Sequence, residues 1–174
     1  GIINASPLKK LIALQYLNIS GNYIEDFSIL KPMKKLETLY AGNMNMKTIE
    51  NLLDLKNIKE LFIGFNEIEN IDSISRLKNI ETLNLANNKI KNINELVNLK
   101  NLSTLTLDNN PIEDYEILFE MKQLKYLSVG GLDLAFIEEL KEMLPNTEIN
   151  YFSNNLNKEI NYNNNKRASY KTSF

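Results

Sequence analysis

The sequence predicts an α/β solenoid: short parallel strands stacked into one sheet, with 3₁₀ or short helical segments on the opposite side. Three observations carry this reading. First, apolar residues recur with a fixed period. Ile58, Ile80 and Leu102 lie 22 residues apart, and Leu61, Ile63 and Ile68 return as Leu83, Leu85 and Ile90, then as Leu105, Leu107 and Ile112. A constant period of this length marks a coil-by-coil repeat architecture. Second, the opening stretch of each period alternates apolar and other residues, which describes a strand buried on one face. Third, the closing stretch spaces its apolar residues by three, as in Ile68, Ile71, Ile74 and Leu77, a spacing that suits 3₁₀ turns better than a long α-helix.

Taken in order, residues 1–13 form a partial first coil, because Ile24, Leu30 and Met33 step back onto Ile2, Leu8 and Leu11. This coil lacks its strand and shows no polar cap over its apolar end, so the expectation is that further repeats precede it, the alternative being that another segment covers that end. Six full repeats start at Leu14, Leu36, Ile58, Ile80, Leu102 and Leu124 and fill 14–145. Every coil runs in the same direction, so the strands stack in parallel, about 4.8 Å apart. The second halves of repeats five and six, 113–121 and 134–143, read as more helical. After Pro145 a half coil occupies 146–160, with a last strand over 146–152 and Asn154 back in register. The period fades after Leu156. Residues 161–174 are Asn-rich without an apolar period, as in a flexible tail or a junction. The alternative is that Tyr162, Tyr170 and Phe174 cap the final coil.

Where the chain leaves each strand, backbone groups turn inward without a strand partner. Asn22, Asn66, Asn88 and Asn110 recur there. A buried Asn carries two donors and an acceptor and can bond the backbone of its own and the next coil. Met44 and Leu132 interrupt the series, which predicts two irregular turns.

Composition bounds the chemistry. Hydrophobic residues at 43% and charged residues at 24% give a globular balance, not a disordered one. The net charge of −2 lends no support to a nucleic-acid partner. With neither Cys nor His in the chain, disulfides, thiol nucleophiles, imidazole acid–base chemistry and the common zinc ligand sets are removed. No metal, cofactor or small-molecule substrate is implied. No apolar run is long enough to cross a membrane as a helix.

The run L-x-x-L-x-L-x-x-N-x-I-x-x-I-x-x-L-x-x-L resembles the 22-residue class of leucine-rich repeat found in bacterial internalins. The same class occurs in the leucine-rich regulatory subunit of type-1 protein phosphatase. The segments Asn110-Pro111-Ile112-Glu113-Asp114-Tyr115 and Leu144-Pro145-Asn146-Thr147-Glu148-Ile149 resemble the terminal repeats of such proteins. The resemblance implies a curved solenoid whose concave sheet face binds another protein, and it transfers no catalytic residue. The setting it implies first is a bacterial surface or secreted protein. An intracellular regulatory scaffold and a structural spacer are the alternatives.

Strand alternation then writes out the concave face, since residues flanking the buried Leu and Ile positions must point the other way. The candidate partner-binding residues are Tyr16, Tyr40, Glu60, Phe62, Phe65, Asn84, Thr106, Asp108 and Tyr126. Tyr40 and Phe62 fall on equivalent positions of neighbouring strands, with Tyr16 diagonal to Tyr40 and Phe65 at the loop edge. Rings of about 150–250 Å² each would make a patch of the size that marks interaction sites. Gly42, Gly64 and Ala86 are expected to leave room for a partner, and the Thr and Asn strands to form a polar rim. The competing reading is that the rings only stabilise the sheet and the small residues serve the strand exit. No enzyme is expected. Glu60 and Asp108 sit two strands and four residues apart, roughly 16 Å by standard spacings, whereas a glycosidase pair needs about 5–9.5 Å. Asn4-Ala5-Ser6, Asn18-Ile19-Ser20 and Asn101-Leu102-Ser103 match the glycosylation pattern. Lys166-Arg167-Ala168-Ser169 resembles a basic-directed phosphorylation site.

Overall fold

The computed structural model describes residue 1 and residues 4–151. The alternating stretches form seven three-residue strands: Tyr16–Asn18 (β1), Thr38–Tyr40 (β2), Glu60–Phe62 (β3), Thr82–Asn84 (β4), Thr104–Thr106 (β5), Tyr126–Ser128 (β6) and Glu148–Asn150 (β7). They make one sheet in sequence order. Every pair is parallel and offset by one repeat, so that Leu39, Leu61, Leu83, Leu105 and Leu127 lie side by side. These leucines are fully buried. β7 occupies the middle of the expected last strand. Ile2, Phe152, Asn154, Leu156 and the Asn-rich tail lie outside the described residues.

Opposite the sheet run 3₁₀ segments at Ser6–Lys10, Phe27–Leu30, Glu50–Leu52, Ile74–Arg76, Asn94–Asn98 and Glu116–Glu120, and one α-helix, Leu134–Met143 (α1). The expectation of helix in both late repeats therefore holds only in the last. Repeat five buries Leu118 and Met121 and half-buries Ile112 and Tyr115, a spacing of three that keeps the tighter winding. Repeat six buries Ile137, Leu140 and Leu144, a spacing of three and four that one face of an α-helix provides.

The Asn ladder forms, but toward the preceding coil. Asn88 Nδ2 donates to Leu85 of its own coil at 2.9 Å and to Ile63 of the coil before at 3.1 Å, while its Oδ1 accepts from Ile68 N at 3.0 Å. Asn110 repeats this with Leu107, Leu85 and Ile90. The direction corrects the expected one and follows from geometry: the inward turn after a strand faces the coil already laid down. At Met44 the turn is irregular, as expected. Met44 and Met46 both donate to Asn66 Oδ1, at 3.0 Å each, and Asn45 joins Asn43 in the left-handed region. At Leu132 the Asn is replaced by a half-buried side chain. The chain turns at once into α1, whose first turn is capped by Asp133 Oδ1 accepting from Phe136 N at 2.9 Å.

Candidate binding face

The parallel register places the strand residues that flank the buried leucines on one open face. Three rings meet there. Tyr40 and Phe62 stack face to face, with centroids 4.2 Å apart and planes 7° from parallel. Tyr16 closes on Tyr40 at 5.6 Å, tilted by 48°. Its reach across the diagonal comes from being 57% exposed and free to lean. Burial, then the neighbouring Tyr16 and Glu60, pushes the Tyr40 hydroxyl above its ordinary range. Glu60 is exposed, accepts from Thr38 Oγ1 at 3.1 Å and has no cationic partner among the described residues.

Phe65 stands apart from this stack, with no ring contact among the described residues. It is 65% exposed and holds φ at +57°. Among the described residues the same turn position is left-handed after each of β1 to β6: Gly21, Asn43, Phe65, Asn87, Asn109 and Gly131. Gly and Asn tolerate that conformation, whereas a bulky ring does not favour it. Phe65 is the one residue of the series that the turn geometry does not call for.

The remaining candidates divide. Asn84 is half-buried, and its Oδ1 accepts from Ala86 N at 3.0 Å, which ties its acceptor to the strand exit. Thr106 is half-buried in the middle of the face. Asp108 belongs to a polar chain at the far end: Ser128 Oγ donates to its Oδ2 at 2.6 Å, and Asn150 Nδ2 donates to Ser128 Oγ at 3.1 Å. Asp108 Oδ1 is buried without a hydrogen-bond partner among the described residues. Tyr126 is half-buried on β6, in register between Thr104 and Glu148. Ser128 is buried at 4% exposure and contributes to the network, not to the surface.

The small residues do not leave room. A methyl on Gly64 would meet Asn84 Oδ1 at 2.9 Å and Ala86 O at 3.0 Å, and one on Gly42 would meet Gly64 O at 3.0 Å. Gly64 and Ala86 are themselves buried. At these positions the small side chains serve the close passage of neighbouring coils, which is a correction to their expected role. The three glycosylation matches are likewise committed to the scaffold. Asn4 and Asn18 accept from the backbone two residues on, and Asn101 Nδ2 donates to Lys78 O at 3.0 Å.

A repeated side-chain pattern that the apolar period did not single out ties the coils together. Asn57, Asn79, Asn101 and Gln123 each donate to a carbonyl of the preceding coil at 2.7–3.2 Å. Asn4, Asp26, Thr48, Asn70, Asn92 and Asp114 each accept from the backbone N–H two residues on, and all but Asn70 do so from the first or second residue of a 3₁₀ segment. Both sets keep the period of the leucines and are readable from the polar columns of the repeat. Among the described residues there is no group of acidic side chains able to hold a metal ion, and no helix is long and apolar enough to cross a membrane.

A family model for leucine-rich repeats in two copies matches residues 78–120. No curated protein sequence matches the chain. Among solved structures, the internalin InlF of Listeria monocytogenes is 28% identical with a TM-score of 0.76, over 90% of this chain and 46% of InlF. The internalin InlC2 of the same organism is 24% identical with a TM-score of 0.77, over 90% of this chain and 71% of InlC2. A leucine-rich repeat protein of Leptospira interrogans is 19% identical with a TM-score of 0.56, over 85% of this chain and 51% of that one. The chain spans less than half of InlF. The fold is thus a leucine-rich repeat solenoid, a class that generally serves protein–protein interaction and is typically non-enzymatic. Within that class the chain is similar to the internalin InlF in fold and in part of its sequence.

Proposed function

We propose that the chain is a protein-binding module of a bacterial surface or secreted protein, and that it grips its partner with the aromatic patch of the sheet face. The observation that carries this reading is the asymmetry of the face. Tyr16, Tyr40 and Phe62 cluster on β1–β3, with Phe65 exposed at the turn after β3, while β4 and β5 present Thr82, Asn84, Thr104 and Thr106. Fold rules bury the leucines but leave the identities on the open face free, so rings gathered at one end are a departure the scaffold does not need. Such rings, adjoined on the following strands by hydrogen-bonding Asn84, Thr106, Asp108 and Tyr126, match the anchor-and-polar-surround anatomy of protein interfaces. The InlF and InlC2 likeness supports the bacterial surface setting.

The test is a random-peptide selection on the purified domain. Peptides bound by the native chain lose affinity on Tyr40→Ala and Phe62→Ala, roughly tenfold or more per anchor, with little change in the urea midpoint. If both variants lower the midpoint and leave peptide affinity intact, the stack is structural and the reading fails.

A further inference from the structure

We infer that the partner segment presents an arginine or lysine side chain to this face, seated on the Phe62 ring on its side away from Tyr40 and paired with Glu60. The inference rests on the proposed binding patch and deepens it. Its basis is the charge of the face. In the seven strands and their exits the outward charges are Glu60, Asp108 and Glu148, and no Lys or Arg occupies an outward strand position. The cations nearby are spent off the face: Lys59 pairs with Glu37 at 2.8 Å and Lys89 with Glu67 at 3.1 Å. Glu60 alone among these carboxylates is both exposed and set against the rings, two residues before Phe62 on β3.

Stacking closes the facing sides of Tyr40 and Phe62, and Tyr16 lies on the other side of Tyr40. The seat is therefore the face of Phe62 turned away from Tyr40, toward the shorter Asn84 in register with it. A cation is attracted to such a face within about 6 Å of the ring centroid. A guanidinium suits this site best, because it is planar, weakly hydrated and able to stack and form a forked bond to a carboxylate at once. Phe65, three residues beyond Phe62 and exposed, adds an apolar side chain at the turn after β3, in a backbone conformation its side chain disfavours. Charge at Glu60, rings in the middle and an exposed ring beyond describe a basic segment with an apolar neighbour. An acidic or purely apolar one leaves Glu60 without a counter-charge.

Acetyl-arginine amide and acetyl-citrulline amide, which share shape and differ in charge, are titrated separately into the labelled chain and followed by NMR. The expected result is saturable shifts at Tyr40, Glu60 and Phe62, at least threefold tighter for arginine. Glu60→Gln should bring the two ligands to parity, and Phe62→Leu should weaken the arginine ligand. Equal responses to both ligands, arginine shifts spread over the exposed carboxylates elsewhere, or no response at all would each overturn the inference. If at the same time selected peptides still lose binding on Tyr40→Ala, the patch stands and only its cation preference falls.

Discussion

Phe65 concentrates the tension between scaffold and function in one residue. Its turn demands a left-handed backbone, which costs a residue bearing a Cβ roughly 1–2 kcal/mol, less for Asn and nothing for Gly. Phe65→Asn is therefore expected to stabilise the chain by about 1 kcal/mol, seen as a melting temperature about 2–4 °C higher. Phe65→Ala keeps the Cβ and should gain little. If Asn and Ala behave alike, the turn stores no strain. The position was legible as a Gly/Asn column broken by one aromatic, but an apolar periodicity search passes over it because the column is polar. Tyr40 gives a second residue-scale expectation. Its hydroxyl is raised above the ordinary value near 10, first by burial and then by Tyr16 and Glu60. The folded state thus favours the protonated phenol. That contribution is complete below pH 10 and is lost as pH rises through the folded value. Urea unfolding across the alkaline range should show stability falling with pH, with a shallower fall in Tyr40→Phe.

At the scale of the element, each coil is a strand, a turn and a 3₁₀ segment, and each junction is closed by a polar side chain. Asn88→Ala would leave Ile68 N–H and the carbonyls of Ile63 and Leu85 without these bonds. Ile63 O and Leu85 O keep the bonds donated by Asn66 and Asn110, so Ile68 N–H is the group left orphaned, and a loss of about 1–3 kcal/mol in urea unfolding is expected. Asn92→Ala removes only an exposed bond to Asn94 N, and its cost should stay near 1 kcal/mol. A cost for Asn88→Ala no larger than that of Asn92→Ala would show the ladder to be replaceable. The leucines, strand positions and inner Asn were readable because burial selects strongly and repeats every coil. The ladder's direction was not, since a donor's partner on the preceding or the next coil depends on the tilt of the turn. The tighter winding of repeat five was also hidden. Glu113–Met121 carries good helix formers, yet Pro111, Asp114 and apolar spacing by three hold it as 3₁₀.

For the whole molecule, stability is a chain of nearest-neighbour couplings, because each coil touches only the coils on either side. Burial of the strand leucine column falls toward both ends of the described sheet. Leu61, Leu83 and Leu105 are fully buried, Leu17 is 9% exposed and Ile149 is only half-buried. Local opening should therefore be graded along the sheet. In native-state hydrogen exchange, Ile63 N–H, bonded to Asn84 O at 3.0 Å, and Leu85 N–H, bonded to Thr106 O at 2.9 Å, are expected to exchange slowest. Ile19 N–H on β1 and Val129 N–H beside β7 make bonds of 2.9 Å each to Tyr40 O and Asn150 O, yet should exchange sooner. The bond lengths are alike, so any difference reports the coupling of coils and not the strength of one bond. Uniform protection from β1 to β7 would mean that the solenoid opens all at once. A graded pattern has a functional consequence. The aromatic patch spans β1–β3, so its Tyr16 end lies on a looser coil than its Phe62 end. Seating a partner across both would then raise protection at Ile19 more than at Leu85.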